Sequence, residues 1–203
     1  MTDPEYYQTI ERTALAEYKD RGSKFMAYVY PVQTAEACKQ YLQALKKEHP
    51  KAAHHCFAYR LGNDGNTFRV SDDGEPSGTA GKPILGQIDS KQLTDTLVIV
   101  VRYFGGTLLG VPGLIQAYKT AAAMVLQLVP SVQKAIEVGY ELHFDYTLMN
   151  EVMMVLKQSS CTVQLQEMQL FCMLRIGIPK SRLTEVLYRL SEIHAVEVRK
   201  ING

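Results

Sequence analysis

Leu97-Val98-Ile99-Val100-Val101-Arg102-Tyr103-Phe104-Gly105-Gly106-Thr107-Leu108-Leu109-Gly110-Val111-Pro112-Gly113 runs an unbroken apolar segment into a glycine-rich turn and then a proline. A short continuous run of β-branched and leucine residues reads as a buried strand, here Leu97 to Arg102. Pro112 has no N–H to lose in the first turn of a helix, so a helix is expected from there to about Leu128. Strand, glycine loop and helix form the unit around which the rest is read.

Toward the N-terminus, extended stretches at about Thr9 to Glu17 and Lys24 to Val32 flank Lys19-Asp20-Arg21-Gly22, a turn signal that makes them a hairpin. Thr34 can cap a helix whose Cys38, Tyr41, Leu42 and Leu45 fall at i, i+3, i+4 and i+7, until His49-Pro50 stops it. Ala53 to Leu61 reads as a strand, Asn63-Asp64-Gly65-Asn66 as a tight turn, and Thr67 to Val70 as a short strand. A polar loop from Ser71 leads to a short helix at Ala80 to Ile88.

Beyond Pro130 the order is strand, helix, strand, strand, helix, strand. The strands are Ala135 to Asp145, Thr162 to Gln166, Gln169 to Ile178 and Ala195 to Ile201. Leu148, Met149, Val152, Met153 and Leu156 make one helical stripe; Leu183, Val186, Leu187 and Leu190 make the other. That order belongs to the ferredoxin-like fold. The fold class is therefore α+β in two domains, residues 1–133 and 134–203.

At 203 residues and 46% hydrophobic, the chain has ample material for ordinary cores. Leu97 to Val101 is far shorter than the roughly 20 residues of a membrane-spanning helix, and the first five residues do not resemble a signal peptide, so a cytoplasmic protein without membrane contact is expected. Cys38, Cys56, Cys161 and Cys172 form no CxxC pair, which points to neither a disulfide framework nor a zinc site. Twenty-two basic against 21 acidic side chains exclude a broadly basic nucleic-acid-binding domain, so any polyanion site is a local patch.

Two segments carry the candidate chemistry. Ser71-Asp72-Asp73-Gly74-Glu75-Pro76-Ser77-Gly78-Thr79-Ala80-Gly81-Lys82-Pro83 brings carboxylates, hydroxyls and a lysine together among glycines that permit close backbone approach. It reads either as a polar or cation site of Asp72, Asp73, Glu75, Ser77 and Thr79 together with His54, or as a surface turn and helix cap. In the second segment, amides at Gly105 and Gly106 near a helix start read either as an anion site to which Arg102 and Lys119 add charge, or as glycines required for tight helix-to-sheet packing. Tyr103 and Phe104 can stack on a base where exposed, and pack in the core where not. His54 and Cys56 share a strand face, but no third ligand stands at recognisable spacing, so no metal or other cofactor is called. Gly-Lys-Pro at 81–83 is not the end of a P-loop, and no GxGxxG, GxSxG or HExxH occurs.

Arg21-Gly22-Ser23-Lys24-Phe25, His54-His55-Cys56-Phe57-Ala58-Tyr59-Arg60, Ser71 through Gly81, and Val101 through Gly106 with Leu109-Gly110 resemble the YigZ/IMPACT family. The resemblance covers roughly the first 130 residues, and the C-terminal domain is similar to that of the bacterial members. It implies that the first domain has the fold of domain IV of elongation factor G and the second that of its domain V. Eukaryotic IMPACT proteins regulate translation during amino-acid starvation by binding the activator of a stress-responsive initiation-factor kinase. Their N-terminal RWD domain has no counterpart in this chain, and the resemblance carries no catalytic residues over.

The resulting expectation is a translation-linked regulatory binding module without catalysis. Its partner is RNA, the ribosome or a translation-associated protein, contacted through the two polar loops. Arg60, Lys82 and Arg102 are expected to meet phosphate. Two alternatives stand beside it: a metal-assisted enzyme acting on a phosphorylated small molecule through Asp72, Asp73 and Glu75, and a module for protein–protein recognition only.

Overall fold

A computed structural model describes residues 4–169 and 171–201. Contacts divide the chain into two compact units, one of Tyr7–Lys134 and one of the described parts of 1–6 and 135–203. The first unit ends at Lys134, and residues 4–6 group with the second.

In the first unit, β2 (Ala14–Asp20), β3 (Ser23–Pro31), β4 (His54–Leu61), β5 (Thr67–Ser71) and β6 (Thr96–Tyr103) form an antiparallel sheet in the order β2-β3-β6-β4-β5. The apolar run read as a buried strand is the central β6. Side chains alternate across it. Val98 and Val100 enter the core shared with α2 (Gly81–Ser90) and α3 (Gly110–Gln127), whereas Leu97, Ile99 and Val101 enter the core beneath α1 (Ala35–Glu48). Burial on both faces explains the unbroken apolar run from Leu97 to Val101 in β6.

Local signals account for most of these elements. Thr34 Oγ1 accepts the Ala37 amide at 3.2 Å and starts α1, and the chain leaves the helix at His49 before Pro50. Arg21 and Gly22, at φ 45° and 80°, close the β2–β3 hairpin in the left-handed conformation that matches strand twist. The single strand expected over Thr9 to Glu17 is two. Tyr6–Ile10 (β1) pairs with Ser131–Ala135 (β7), and only β2 joins the hairpin. Both pieces have strand composition, and the turn register decides which one pairs with β3.

The second unit follows β8 (Glu137–Asp145), α4 (Met149–Gln158), β9 (Thr162–Met168), β10 (Phe171–Pro179), α5 (Leu183–Ser191) and β11 (Glu197–Lys200). Its antiparallel sheet runs β11-β8-β10-β9. Val152, Val155 and Leu156 of α4 and Val186 and Leu190 of α5 pack on Tyr140, Leu142, Phe144, Leu174 and Ile176. A bulge between Arg175 and Ile176 shifts the β9 register, and all seven residues of this edge strand are exposed. Among the described residues no helix is long and apolar enough to cross a membrane.

Candidate functional site

The sheet places the ends of β4 and β6 side by side, with His54 opposite Arg102 in the register. Both side chains lie on the α2–α3 face. There the loop after β5 and the loop after β6 meet around a cleft of about 480 Å³, lined by His54, Glu75, Pro76 and Arg102 on one side and by Phe104, Leu108, Val111 and Leu114 on the other. The two segments singled out in the sequence thus border one concave surface.

Its floor is a buried polar network. Arg102, 5% exposed, donates from Nη1 to Glu75 Oε1 at 2.6 Å and from Nη2 to Ser23 Oγ at 3.3 Å. Tyr118 of α3 donates its hydroxyl to the same Glu75 oxygen at 2.7 Å, and the Cys56 thiol donates to the Tyr118 oxygen at 3.3 Å. The guanidinium lies between the rings of Phe25 and Phe104, 5.4 and 5.6 Å from their centroids. Burial pushes the phenol of Tyr118 and the thiol of Cys56 well above their ordinary ranges, and nearby Glu75 adds to both. Cys56 is consequently a buried donor and not a nucleophile at neutral pH.

The acidic residues of the first loop point in three directions. The Asp72 carboxylate accepts the amides of Gly78 (2.8 Å), Ala80 (3.0 Å) and Gly81 (2.8 Å), and so caps α2 from a distance of eight or nine residues. Ala80, at the cap position itself, has no side-chain acceptor. Asp73, at φ 41°, accepts the His55 amide at 2.7 Å and the Lys46 ammonium at 3.1 Å. Glu75 turns inward to Arg102. Burial raises the carboxyl pKa of Asp72 and Asp73, but the amide donors together with Lys82 for Asp72 and Lys46 for Asp73 outweigh it, so both lie below the usual carboxylate value. Among the described residues no group of three His, Cys, Asp or Glu gathers as a metal site.

A group whose pKa is lower folded than unfolded contributes stability above its unfolded value and loses it as pH falls through the folded one. Asp72→Asn keeps the shape but removes the charge. We expect it to lower stability by about 1–2 kcal/mol at pH 7. The gap should begin to narrow near the ordinary carboxylate value, about pH 4, and close as pH falls through the lower folded value. Urea unfolding of wild type and variant between pH 7 and pH 3 checks this, and parallel pH profiles would refute the charged cap.

The other expected site residues are dispersed. Thr79 is buried and donates to Pro76 O at 2.7 Å, while Ser77 is exposed on the loop. Lys82 and Lys119 are exposed on α2 and α3, and neither lines the cleft. Arg60 pairs with Asp89 at 2.8 Å; six strand residues put it roughly 20 Å from His54. Tyr103 lies on the opposite sheet face, its hydroxyl 2.9 Å from His49 Nδ1. The Gly105 amide donates to Ser23 Oγ at 3.2 Å, and Gly106 stands in open space at φ 88°. The expected phosphate contacts therefore do not form one cationic surface, because strand alternation and the Glu75 pair remove Tyr103 and Arg102 from it.

Three participants escaped the sequence reading. Ser23 and Phe25 sit beside the hairpin turn and meet Arg102 only through the sheet. Tyr118 was the more detectable: a tyrosine on the inner stripe of a helix, between Leu114 and Ala121, requires a buried partner for its hydroxyl.

The family model for the Impact N-terminal domain matches residues 21–126. The IMPACT family member YigZ of Escherichia coli (strain K12) is 33% identical over 174 residues, 85% of this chain and 85% of that protein. An IMPACT family member of Haemophilus influenzae is 31% identical over 188 residues, 92% of this chain and 91% of its own length. A crystal structure described as that of a hypothetical protein aligns over 98% of this chain and 99% of its own, with a TM-score of 0.78 and 28% identity.

Proposed function

Because this chain belongs to the IMPACT family, we propose that it is a translation-linked regulatory module that engages a protein of the translation apparatus, free or ribosome-bound, through the cleft of its first unit. The translation link follows from the role of the family's eukaryotic members. The observation supporting the cleft is its lip: Phe104, Leu108 and Val111 are 51%, 82% and 52% exposed above a floor whose one arginine is neutralised by Glu75. Contiguous exposed apolar side chains beside a rigid pocket suit a protein partner. RNA is less well served, since the cations of the two loops do not converge and the most central one is buried.

Leu108→Asp tests this reading with little expected effect on folding, because the side chain is almost wholly exposed. Loss of an anchor worth about 2 kcal/mol corresponds to roughly 30-fold weaker binding. Co-sedimentation of the purified protein with purified bacterial ribosomes, across a salt series, provides the measurement. Retention of Leu108→Asp on ribosomes at wild-type level would remove the cleft from the function. Binding that instead weakens in Lys82→Ala with Lys119→Ala, with a shallower salt slope, would favour RNA.

A further inference from the structure

We infer that the partner polypeptide supplies the missing cap of α3: one of its carboxylates sits in the cleft on the backbone amides of Leu109, Gly110 and Val111. The inference rests on the proposal that the cleft is the partner-binding surface, and adds the chemistry that the surface selects.

α3 runs for 18 residues and starts at Gly110 with no side chain accepting an amide at its cap. Pro112 has no N–H, and among the described residues no atom accepts the amides of Leu109, Gly110 and Val111. Leu109, at φ −85° and ψ −22°, precedes Gly110 at φ 71°. A right-handed residue followed by a left-handed one turns successive N–H groups to one side, as in anion-binding nests. All three residues line the cleft.

A second observation comes from the floor of the same cleft. The Arg102 side chain lines it and is 5% exposed, yet its Nε has no acceptor among the described residues. Its counter-charge is shared, because the Glu75 oxygen that accepts Arg102 Nη1 also accepts the Tyr118 hydroxyl. A buried guanidinium N–H left without an acceptor is costly, and its positive potential favours an anion in the cleft.

Charge then sets the class of anion. Arg102 is paired with Glu75, and His54 Nε2 lies 3.7 Å from the same carboxylate, so no cation of the wall stands without an acid beside it. The helix start adds about half a unit of positive charge, which suits one carboxylate. A phosphate dianion would bring a second negative charge toward Glu75 with nothing to match it. Phe104, Leu108 and Val111, exposed at the same lip, cover the apolar groups that a polypeptide carries beside its carboxylate.

Three probes on the intact chain, at constant ionic strength, test the inference. They are N-acetyl-leucyl-aspartate N-methylamide with a free side-chain carboxylate, its asparagine counterpart, and inorganic phosphate. The backbone amide resonances of Leu109, Gly110 and Val111 and the Nε resonance of Arg102 report occupancy. Hydrogen bonds to a charged acceptor predict that the aspartate probe binds about tenfold or more tightly than the asparagine probe, and that it shifts the three amides. Val111→Pro removes one of the three N–H groups in a helical turn that tolerates proline, and should cut that preference by roughly threefold. Should that variant fail to fold, the wild-type comparison decides alone. Equal affinities of the aspartate and asparagine probes in wild type, no shift at the three amides with either, or tighter binding of phosphate than of the aspartate probe would each overturn the inference. An aspartate preference without ribosome association would retain the cap site and discard the translation reading; ribosome association lost in Leu108→Asp, with no aspartate preference, would do the reverse.

Discussion

Glu75→Ala is expected to destabilise the Tyr7–Lys134 unit by roughly 3–5 kcal/mol, because it leaves the Arg102 guanidinium buried without its counter-charge. Arg102 cannot turn outward cheaply: it is 5% exposed, held between Phe25 and Phe104, and bonded to Ser23. The same change orphans the Tyr118 hydroxyl at the centre of α3, and its phenol is already held protonated by burial. The cost therefore comes from two stranded donors and not from the loss of one contact. Replacing both charges and the hydroxyl, with Arg102→Met and Tyr118→Phe added to Glu75→Leu, should recover most of the stability, since a buried ion pair contributes little beyond an apolar pair of similar volume. Hydrogen exchange of β6 amides, with urea unfolding, measures both variants. A loss below about 1 kcal/mol for Glu75→Ala would contradict the buried pair.

Gly105→Ala is expected to cost about 3 kcal/mol or more. A Cβ at this position would overlap the Gly22 carbonyl and the Ser23 nitrogen, which are backbone and cannot rotate away. Gly22 has no freedom to retreat, because it holds φ 80° in a two-residue turn whose register is set by Asp20 opposite Ser23. Gly86→Ala supplies the control. It lies in α2, a Cβ there meets nothing within 4 Å, and alanine should stabilise the helix by about 0.5–1 kcal/mol. Thermal unfolding of the two variants should move in opposite directions, and a shift of the same sign in both would remove the close approach as the explanation.

Much of the site's outline could be read locally, but its roles could not. The segments Ser71 to Pro83 and Arg102 to Gly113 stand out by their glycines and charges, and they do border one cleft. Within them, however, Asp72 is a helix cap, Asp73 a clamp on β4 and Glu75 the partner of a buried arginine. Each of these roles belongs to an atom whose partner lies between 6 and 43 residues away. Leu108 and Val111 read as ordinary apolar residues beside a helix start, and nothing in their neighbours marks them as exposed.

The sequence by itself determined what short-range physics controls. The unbroken Leu97 to Val101 run made the central strand, Thr34 and Pro50 bounded α1, Arg21-Gly22 set the hairpin, and the helical stripes after Pro130 set the α+β order. Such signals repeat every two to four residues and need only neighbouring side chains. The tertiary structure decided which face each residue of β4 and β6 presents to which helix, and so separated Arg102 from Tyr103. It also brought Ser23, Glu75 and Tyr118 to one guanidinium. The reason is that hydrogen bonding to a buried charge is satisfied across the sheet and between loops, where sequence distance carries no information about distance in space.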